Sequence, residues 1–275
     1  MLPRKPTRID LKPADKEEVR TLLWDLAVLR EPQSFTAGAQ SGPGARFGRV
    51  LARSSPGGEA LHGGADRPAE VRPMEVEIKI RLPDRAAYEQ VAAALAAAPG
   101  GKGRLDSHAQ ANYFFDGPNQ ELNSRRVVLR VRTYDVDKKA TVTLKGKQIL
   151  ENGIGRASEV EAEVPPAAAA AYLTQPSRML AEVPIVKDAA EKFGVGSLVA
   201  LGGFQNQRDV YEWEGHTLEL DETKFEHGTL YEIEVETEQP EVLRDRLEHW
   251  LSGMGVSYSY SQTSKFANFI NKTLL

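Results

Sequence analysis

Hydrophobic and charged positions alternate with period two through most of the chain beyond Met74. Successive side chains of a strand point to opposite faces, so this spacing predicts β-structure. In the first such run Val76, Ile78, Ile80 and Leu82 share one face, and Glu75, Glu77, Lys79 and Arg81 share the other. The pattern predicts strands over 74–82, 108–116, 126–134, 140–147, 157–164, 198–206, 207–213, 216–221 and 229–237. Apolar residues at helical spacing predict helices over 84–98, within 167–193, over 241–253 and near the end from 262. Asp116-Gly117-Pro118, Asn152-Gly153, Gly202-Gly203 and Glu214-Gly215 read as turns between the strands. Strands in hairpin order with few helices between them predict an α+β fold, an antiparallel sheet closed into a barrel. No internal repeat is visible.

The first 73 residues follow another pattern. Residues 1–30 open extended and basic, with Arg4, Lys5, Pro6 and Arg8, and then carry Val19, Leu22, Leu23, Leu26 and Leu29 at helical spacing. Residues 31–73 are rich in Gly, Ala, Ser, Pro and Arg without periodicity, and read as a disordered linker. Over the whole chain of 275 residues the formal net charge is −4, which argues against a basic nucleic-acid binder. The absence of cysteine excludes disulfides, thiolate metal sites and cysteine nucleophiles. No run of 18 apolar residues is present, so no membrane association is expected. The N-terminus lacks the apolar core of a secretory signal, and the expected compartment is cytoplasm or nucleus.

Charge sorting along the strands changes the picture. Arg126, Arg130 and Arg132 alternate with Val127, Leu129 and Val131, and Lys145 and Lys147 flank Gly146. Glu159, Glu161 and Glu163 form an acidic row, as do Glu232, Glu234 and Glu236, and Glu219 pairs with Asp221. For any single strand, a solvated outer face is the ordinary explanation. Three like charges at alternate positions repel one another, however, and a merely solvated face mixes in neutral polar residues. Acidic strands beside basic strands suit a barrel that is apolar outside and charged inside. Clustered carboxylates in such a lumen need cations, and hard oxygen ligands suit Mg²⁺ or Mn²⁺. Clustered Lys and Arg suit phosphate oxygens. Together they specify a ligand with several phosphates and divalent metal between it and the acids.

The run Glu75-Val76-Glu77-Ile78-Lys79-Ile80-Arg81 resembles the ExExK signature of the CYTH superfamily, the triphosphate tunnel metalloenzymes. Asn112-Tyr113-Phe114-Phe115-Asp116, Leu129-Arg130-Val131-Arg132, Thr143-Leu144-Lys145, Leu201-Gly202-Gly203-Phe204, the stretch 208–213, the stretch 218–224 and Tyr231-Glu232-Ile233-Glu234 follow in family order. The resemblance covers residues 74–275 and is greatest to the plant tripolyphosphatases. It implies an eight-stranded antiparallel tunnel flanked and plugged by helices. It implies that Glu75, Glu77, Glu232 and Glu234 hold the metals, with Asp221 a weaker candidate. Lys79, Arg81, Arg130, Arg132, Lys145, Lys147 and Arg208 would grip the triphosphate. Glu159 and Glu161 would place the second metal or the attacking water, and Lys265 would reach the substrate from a plug helix. Catalytic roles would then fall to Lys79, Glu159, Glu161 and Lys265. The expected reaction is hydrolysis of inorganic tripolyphosphate to pyrophosphate and phosphate. Hydrolysis of organic triphosphates (thiamine triphosphate or a nucleotide) and non-catalytic polyphosphate binding are the alternatives.

Met1-Leu2-Pro3-Arg4-Lys5-Pro6-Thr7-Arg8, with Leu11-Lys12 and the helix after it, is similar to the N-terminus of the small TPR-binding subunit of the anaphase-promoting complex. That resemblance implies a TPR subunit of the complex as a partner of residues 1–30. Met74 stands immediately before the ExExK signature and could also open a separate polypeptide. The chain has no phosphate-binding G-x-x-x-x-G-K-[ST] loop, no G-x-G-x-x-G turn and no G-x-S-x-G elbow.

Overall fold

The computed structural model describes residues 70–98, 102–136 and 138–275. The readings for residues 1–30, and for the linker up to residue 69, lie outside the described residues. Among the described residues, ten strands and six helices follow in the order β1 (Glu70–Leu82), α1 (Arg85–Ala96), β2 (Arg104–Asp116), β3 (Val128–Tyr134), β4 (Lys139–Lys145), β5 (Ile149–Glu151), β6 (Ile154–Val164), α2 (Pro166–Thr174), α3 (Met179–Glu182), α4 (Pro184–Phe193), β7 (Val199–Trp213), β8 (His216–Phe225), β9 (Gly228–Glu236), α5 (Pro240–Gly253), β10 (Ser259–Tyr260) and α6 (Lys265–Asn271).

Eight strands hydrogen-bond in the order β1-β9-β8-β7-β2-β3-β4-β6, and β6 pairs back onto β1 to close the ring. Every pairing in the ring is antiparallel. Short β5 and β10 extend β6 and β1 outside the ring.

The apolar faces point outward, as the alternation requires, and two helical layers cover them. Ile78, Ile80, Leu218, Leu220, Ile233 and Val235 pack under Val91 and Leu95 of α1 and Leu243, Leu247 and Leu251 of α5. On the opposite wall Leu129, Val131, Val142 and Leu144 pack under Tyr172 of α2, Met179 of α3 and Ile185 and Val186 of α4. Asp84 caps α1 by accepting a hydrogen bond from the Ala87 amide at 2.9 Å. A third cluster closes one end of the barrel from inside. Phe114, Phe204, Phe225 and Leu230 receive Phe266 and Phe269 of α6.

Several boundaries differ from the sequence reading. β1 starts at Glu70, inside the stretch read as linker, because its first residues find partners on β6. β7 runs unbroken through 206–207, and β8 continues to Phe225. β5 and β10, three and two residues long, carry too few positions for a period to show. Asn152-Gly153 and Glu214-Gly215 do turn hairpins: both residues of each pair have positive φ, as a two-residue I′ turn demands.

Gly202-Gly203 is not a turn. It lies inside β7 beside β2, where the register shifts by a bulge between Phe114 and Phe115. Gly202 takes φ +100°, and a Cβ on Gly203 would stand 1.9 Å from the Asn112 carbonyl oxygen. The pair permits close strand approach, which sequence alone does not distinguish from a turn. Gly203→Ala is therefore expected to lower unfolding stability by roughly 3 kcal/mol or more, since the obstacle is backbone and cannot rotate away. Urea denaturation of the two proteins checks this, and an unchanged midpoint would contradict the close packing.

Candidate active site

The charged faces line a lumen that opens into a cavity of about 760 Å³. Three groupings of side chains surround it. The first joins β1, β4 and β6. The Lys145 ammonium lies 2.5 Å from Glu75, 3.1 Å from Glu159 and 3.6 Å from Glu77. Gln148 donates to Glu77 at 3.1 Å. The second joins β1, β7, β8, β9 and α6. The Lys265 ammonium sits 2.6 Å from Asp221, 2.7 Å from Glu234 and 2.9 Å from Glu232. Arg208 grips Asp221 with two hydrogen bonds of 2.8 and 2.6 Å, reaches Glu234 at 2.6 Å and also pairs with Glu219. Lys79 bridges the two groupings, 2.5 Å from Glu234 and 2.9 Å from Glu77. The third lies on β2–β3: Arg130 stands 3.4 Å from Glu159, and Arg132 donates to Asn112 at 2.8 Å.

The structure brings most of the sequence-derived candidates to this cavity. Glu75, Glu77, Lys79, Arg130, Arg132, Lys145, Lys147, Glu159, Arg208, Glu234 and Lys265 line it. Asp221, Glu232 and Arg81 lie one layer deeper, buried behind the lining side chains. There Arg81 reaches Glu232 and Ser261, each at 3.4 Å, and Ser261 donates to Glu232. Glu161 is half-buried and accepts at 3.0 Å from Thr143, which lines the cavity, without lining it itself. Arg125, Glu163 and Glu236 are exposed.

Other lining residues escaped the site prediction: Arg126, Asn112, Asn206, Gln148 and Glu219. Glu219, Asn112 and Asn206 share the inward parity of their strands and were open to detection that way. Arg126 shares the charged row of Arg130 and Arg132, though it stands just before β3 with φ 60°; Gln148 lies in a loop, so no strand alternation marks it as a wall residue.

Burial makes ionisation here depend on partners. Burial and the charge of Glu77 push the Glu75 carboxyl up to about 7, against the pull of Lys145. Burial also opposes ionisation of Glu159, but Arg130 and Lys145 overcome it and hold that carboxyl near about 2. Asp221 is likewise held at about 2, with Arg208 and Lys265 prevailing over burial. The Lys265 ammonium is held charged, against burial, by Asp221, Glu232 and Glu234.

No three carboxylates or imidazoles among the described residues stand in a metal-ligating arrangement, because an ammonium takes the central place in each cluster. The donor set nonetheless fits a divalent cation. Glu75, Glu77 and Glu159 offer oxygens only and converge on the Lys145 ammonium, and burial and the charge of Glu77 leave the Glu75 carboxyl raised despite it.

An antiparallel barrel that is apolar outside, charged within and plugged by a helix defines the triphosphate tunnel fold. The CYTH domain model matches residues 73–264, and the chain belongs to that family. Among solved structures, a candidate adenylyl cyclase from Hippeastrum with a dominant triphosphatase activity is 39% identical at a TM-score of 0.69, covering 73% of this chain and 97% of its own. A candidate adenylate cyclase from Bacillus halodurans, 22% identical at a TM-score of 0.54, covers 71% of this chain and 98% of its own, and shares the fold. No curated protein matches the chain.

Asp221 anchors two cations that line the cavity without lining it itself. Asp221→Ala is expected to cost about 3 kcal/mol or more, because it strips both Arg208 and Lys265 of a buried counter-charge. Denaturant unfolding measures it; a loss below about 1 kcal/mol would show the anchor to be dispensable.

Proposed function

We propose that this domain hydrolyses inorganic tripolyphosphate to pyrophosphate and phosphate, with Mg²⁺ or Mn²⁺ held by Glu75 and Glu77. The observation that carries the reading is the convergence of ammonium and guanidinium groups from four strands and α6 on one cavity walled elsewhere by carboxylates. The triphosphatase activity of the Hippeastrum relative supports it. The aromatic groups available for an organic triphosphate also favour an inorganic one. Tyr88, Trp213 and Trp250 pack outside the barrel, and Phe114, Phe204 and Phe266 are engaged with one another or with α6 at the plug.

In this mechanism Arg130, Lys145 and Arg208 exchange protein partners for phosphate oxygens, Arg132 offers its terminal N–H groups while Nε stays on Asn112, and together they fix the chain in the lumen. A bound divalent cation would neutralise phosphate charge and acidify a coordinated water. Glu159 stays ionised and accepts a hydrogen bond from the attacking water, orienting it. Lys79 and Lys265, fixed by several carboxylates each, stabilise charge developing on the transferred phosphoryl group.

Phosphate release from tripolyphosphate, ATP, thiamine triphosphate and longer polyphosphate, with each metal and with chelator, tests the proposal. Tripolyphosphate with Mg²⁺ is expected to turn over fastest, and release no faster than the protein-free background would defeat it. Lys79→Ala is expected to lower turnover at least about 100-fold. The fold should survive, because Glu234 keeps Lys265 and Arg208, and Glu77 keeps Lys145 and Gln148. Wild-type turnover in a folded variant would remove Lys79 from the site. Glu77→Gln is expected to move half-maximal activity to higher Mg²⁺, and a superimposable metal titration would exclude that carboxylate as a ligand.

A further inference from the structure

The tunnel wall is not evenly charged. Most lumen cations already hold a carboxylate close by, but Arg132 does not. Among the described residues it forms no ion pair; its Nε donates to the neutral Asn112 side chain, and its guanidinium lies 5.9 Å from the Tyr134 ring centroid. Neighbouring Arg130 has one carboxylate in reach, Glu159 at 3.4 Å, and donates to Thr143 at 3.2 Å; burial together with the charge of Arg132 disfavours its protonated form. Two adjacent guanidinium groups on this β2–β3 wall thus have one carboxylate within ion-pair distance between them, Glu159, with Tyr134 supporting the charge of Arg132.

Asn112 sits in the middle of that wall. It is 1% exposed, lines the cavity and pairs in register with Arg132, which in turn pairs with Thr141 on β4. Three polar atoms in this patch lack a hydrogen-bond partner in the protein: Asn112 Nδ2, Arg130 Nε and Thr141 Oγ1. The Asn112 amide has one allowed orientation. A guanidinium only donates, so the atom facing Arg132 Nε must be Oδ1. Nδ2 is then the free end, and it carries two donor hydrogens. A buried donor left unmet costs the protein stability unless some other acceptor meets it. The acceptor that suits two adjacent guanidinium groups as well is an anion rich in oxygens.

We propose that Asn112 is a direct phosphate-binding residue of the tunnel, donating from Nδ2 to an oxygen of the phosphoryl group held between Arg130 and Arg132. The inference rests on the polyphosphate reading of the cavity and extends it to a neutral ligand contact. Arg132 plays two parts: it binds the phosphoryl group, and it fixes the amide so that the donor end faces the same ligand. The wall opposite, with Glu75, Glu77 and Glu234, has the acids; the phosphoryl group on the Asn112 side is thus the one gripped by protein donors alone. A carboxylate at position 112 would satisfy Arg132 and repel the ligand. An asparagine holds Arg132 in place and leaves its charge available.

Two substitutions separate this role from a structural one. Asn112→Asp keeps the shape and the acceptor for Arg132 but loses the donor, and Asn112→Ala loses both without adding charge. Binding of inorganic triphosphate to the full chain is measured by calorimetry in metal-free buffer with chelator, and thermal unfolding is followed on the same samples. Affinity is expected to fall about 10-fold in Asn112→Ala and further in Asn112→Asp, with Asn112→Asp melting no earlier than wild type. In Mg²⁺-supported turnover the loss should fall mainly on KM. Wild-type affinity in either variant overturns the proposal. So does a loss of affinity that only parallels a loss of folded protein in both. If wild-type protein binds no triphosphate at all, the tunnel reading itself fails, a result set apart from one confined to the variants.

Discussion

Charges taken out of water must be neutralised where they stand, and the strand register of this barrel does so. Lys79 lies directly opposite Glu234, Arg81 opposite Glu232, Lys145 opposite Glu159 and Arg208 opposite Asp221. Each pair is a cross-strand neighbour, the closest approach that a sheet offers. Where acidic strands adjoin, as at Glu219 beside Glu234 and Asp221 beside Glu232, Arg208 and Lys265 come in over the like-charged pair. A slip of one residue would turn every charged side chain outward and every Val, Ile and Leu inward. Apolar burial and lumen neutralisation thus select the same register, and this agreement between levels specifies one fold.

The arrangement is a poor way to gain stability. Desolvating an ion pair costs about as much as the pair returns, and apolar residues of similar volume would serve the fold as well or better. What the charges supply is a lumen already organised for a polyanion. Its cations are desolvated, fixed by hydrogen bonds and held near one another by carboxylates that can pass to metal instead. Reorganisation on ligand entry is then mostly an exchange of partners, which is what preorganised electrostatic binding requires. The helices α1 and α5 on one side and α2 to α4 on the other supply the apolar burial that offsets this cost.

Parity along the strands made much of this legible before any coordinates. It assigns Glu75, Glu77, Lys79 and Arg81 to one face and Ile78 and Ile80 to the other, and the single-sign rows distinguish a lumen from a solvated surface. Parity gives the face but not the depth. Closing eight strands into a barrel tilts and staggers them, so residues of equal parity reach different levels and layers. For this reason Asp221, Glu232 and Arg81 lie behind the cavity while Glu234 and Lys79 line it. Gln148 was invisible to the same argument because a turn, not a strand, delivers it. Gly202-Gly203 misled for a related reason: a glycine pair records a need for space or positive φ, and only the neighbouring strand shows which.

The plug joins exclusion of water to delivery of charge. α6 is only seven residues long, too short to be stable by itself, and it is held by what it covers. Phe266 and Phe269 enter a cluster with Phe114, Phe204 and Phe225, and Lys265 on the same helix enters the carboxylates of Asp221, Glu232 and Glu234. The Ser264 side chain caps the helix through the Ala267 amide at 3.1 Å, so the position of Lys265 is set within one turn of its own cap. The aromatic seal lowers the local dielectric at the end of the lumen where that ammonium is placed, and each charge contact there is strengthened in proportion. Seal and cation are therefore one device. Unseating the phenylalanines would withdraw Lys265 and admit water together, and either change alone would weaken the hold on a phosphate chain.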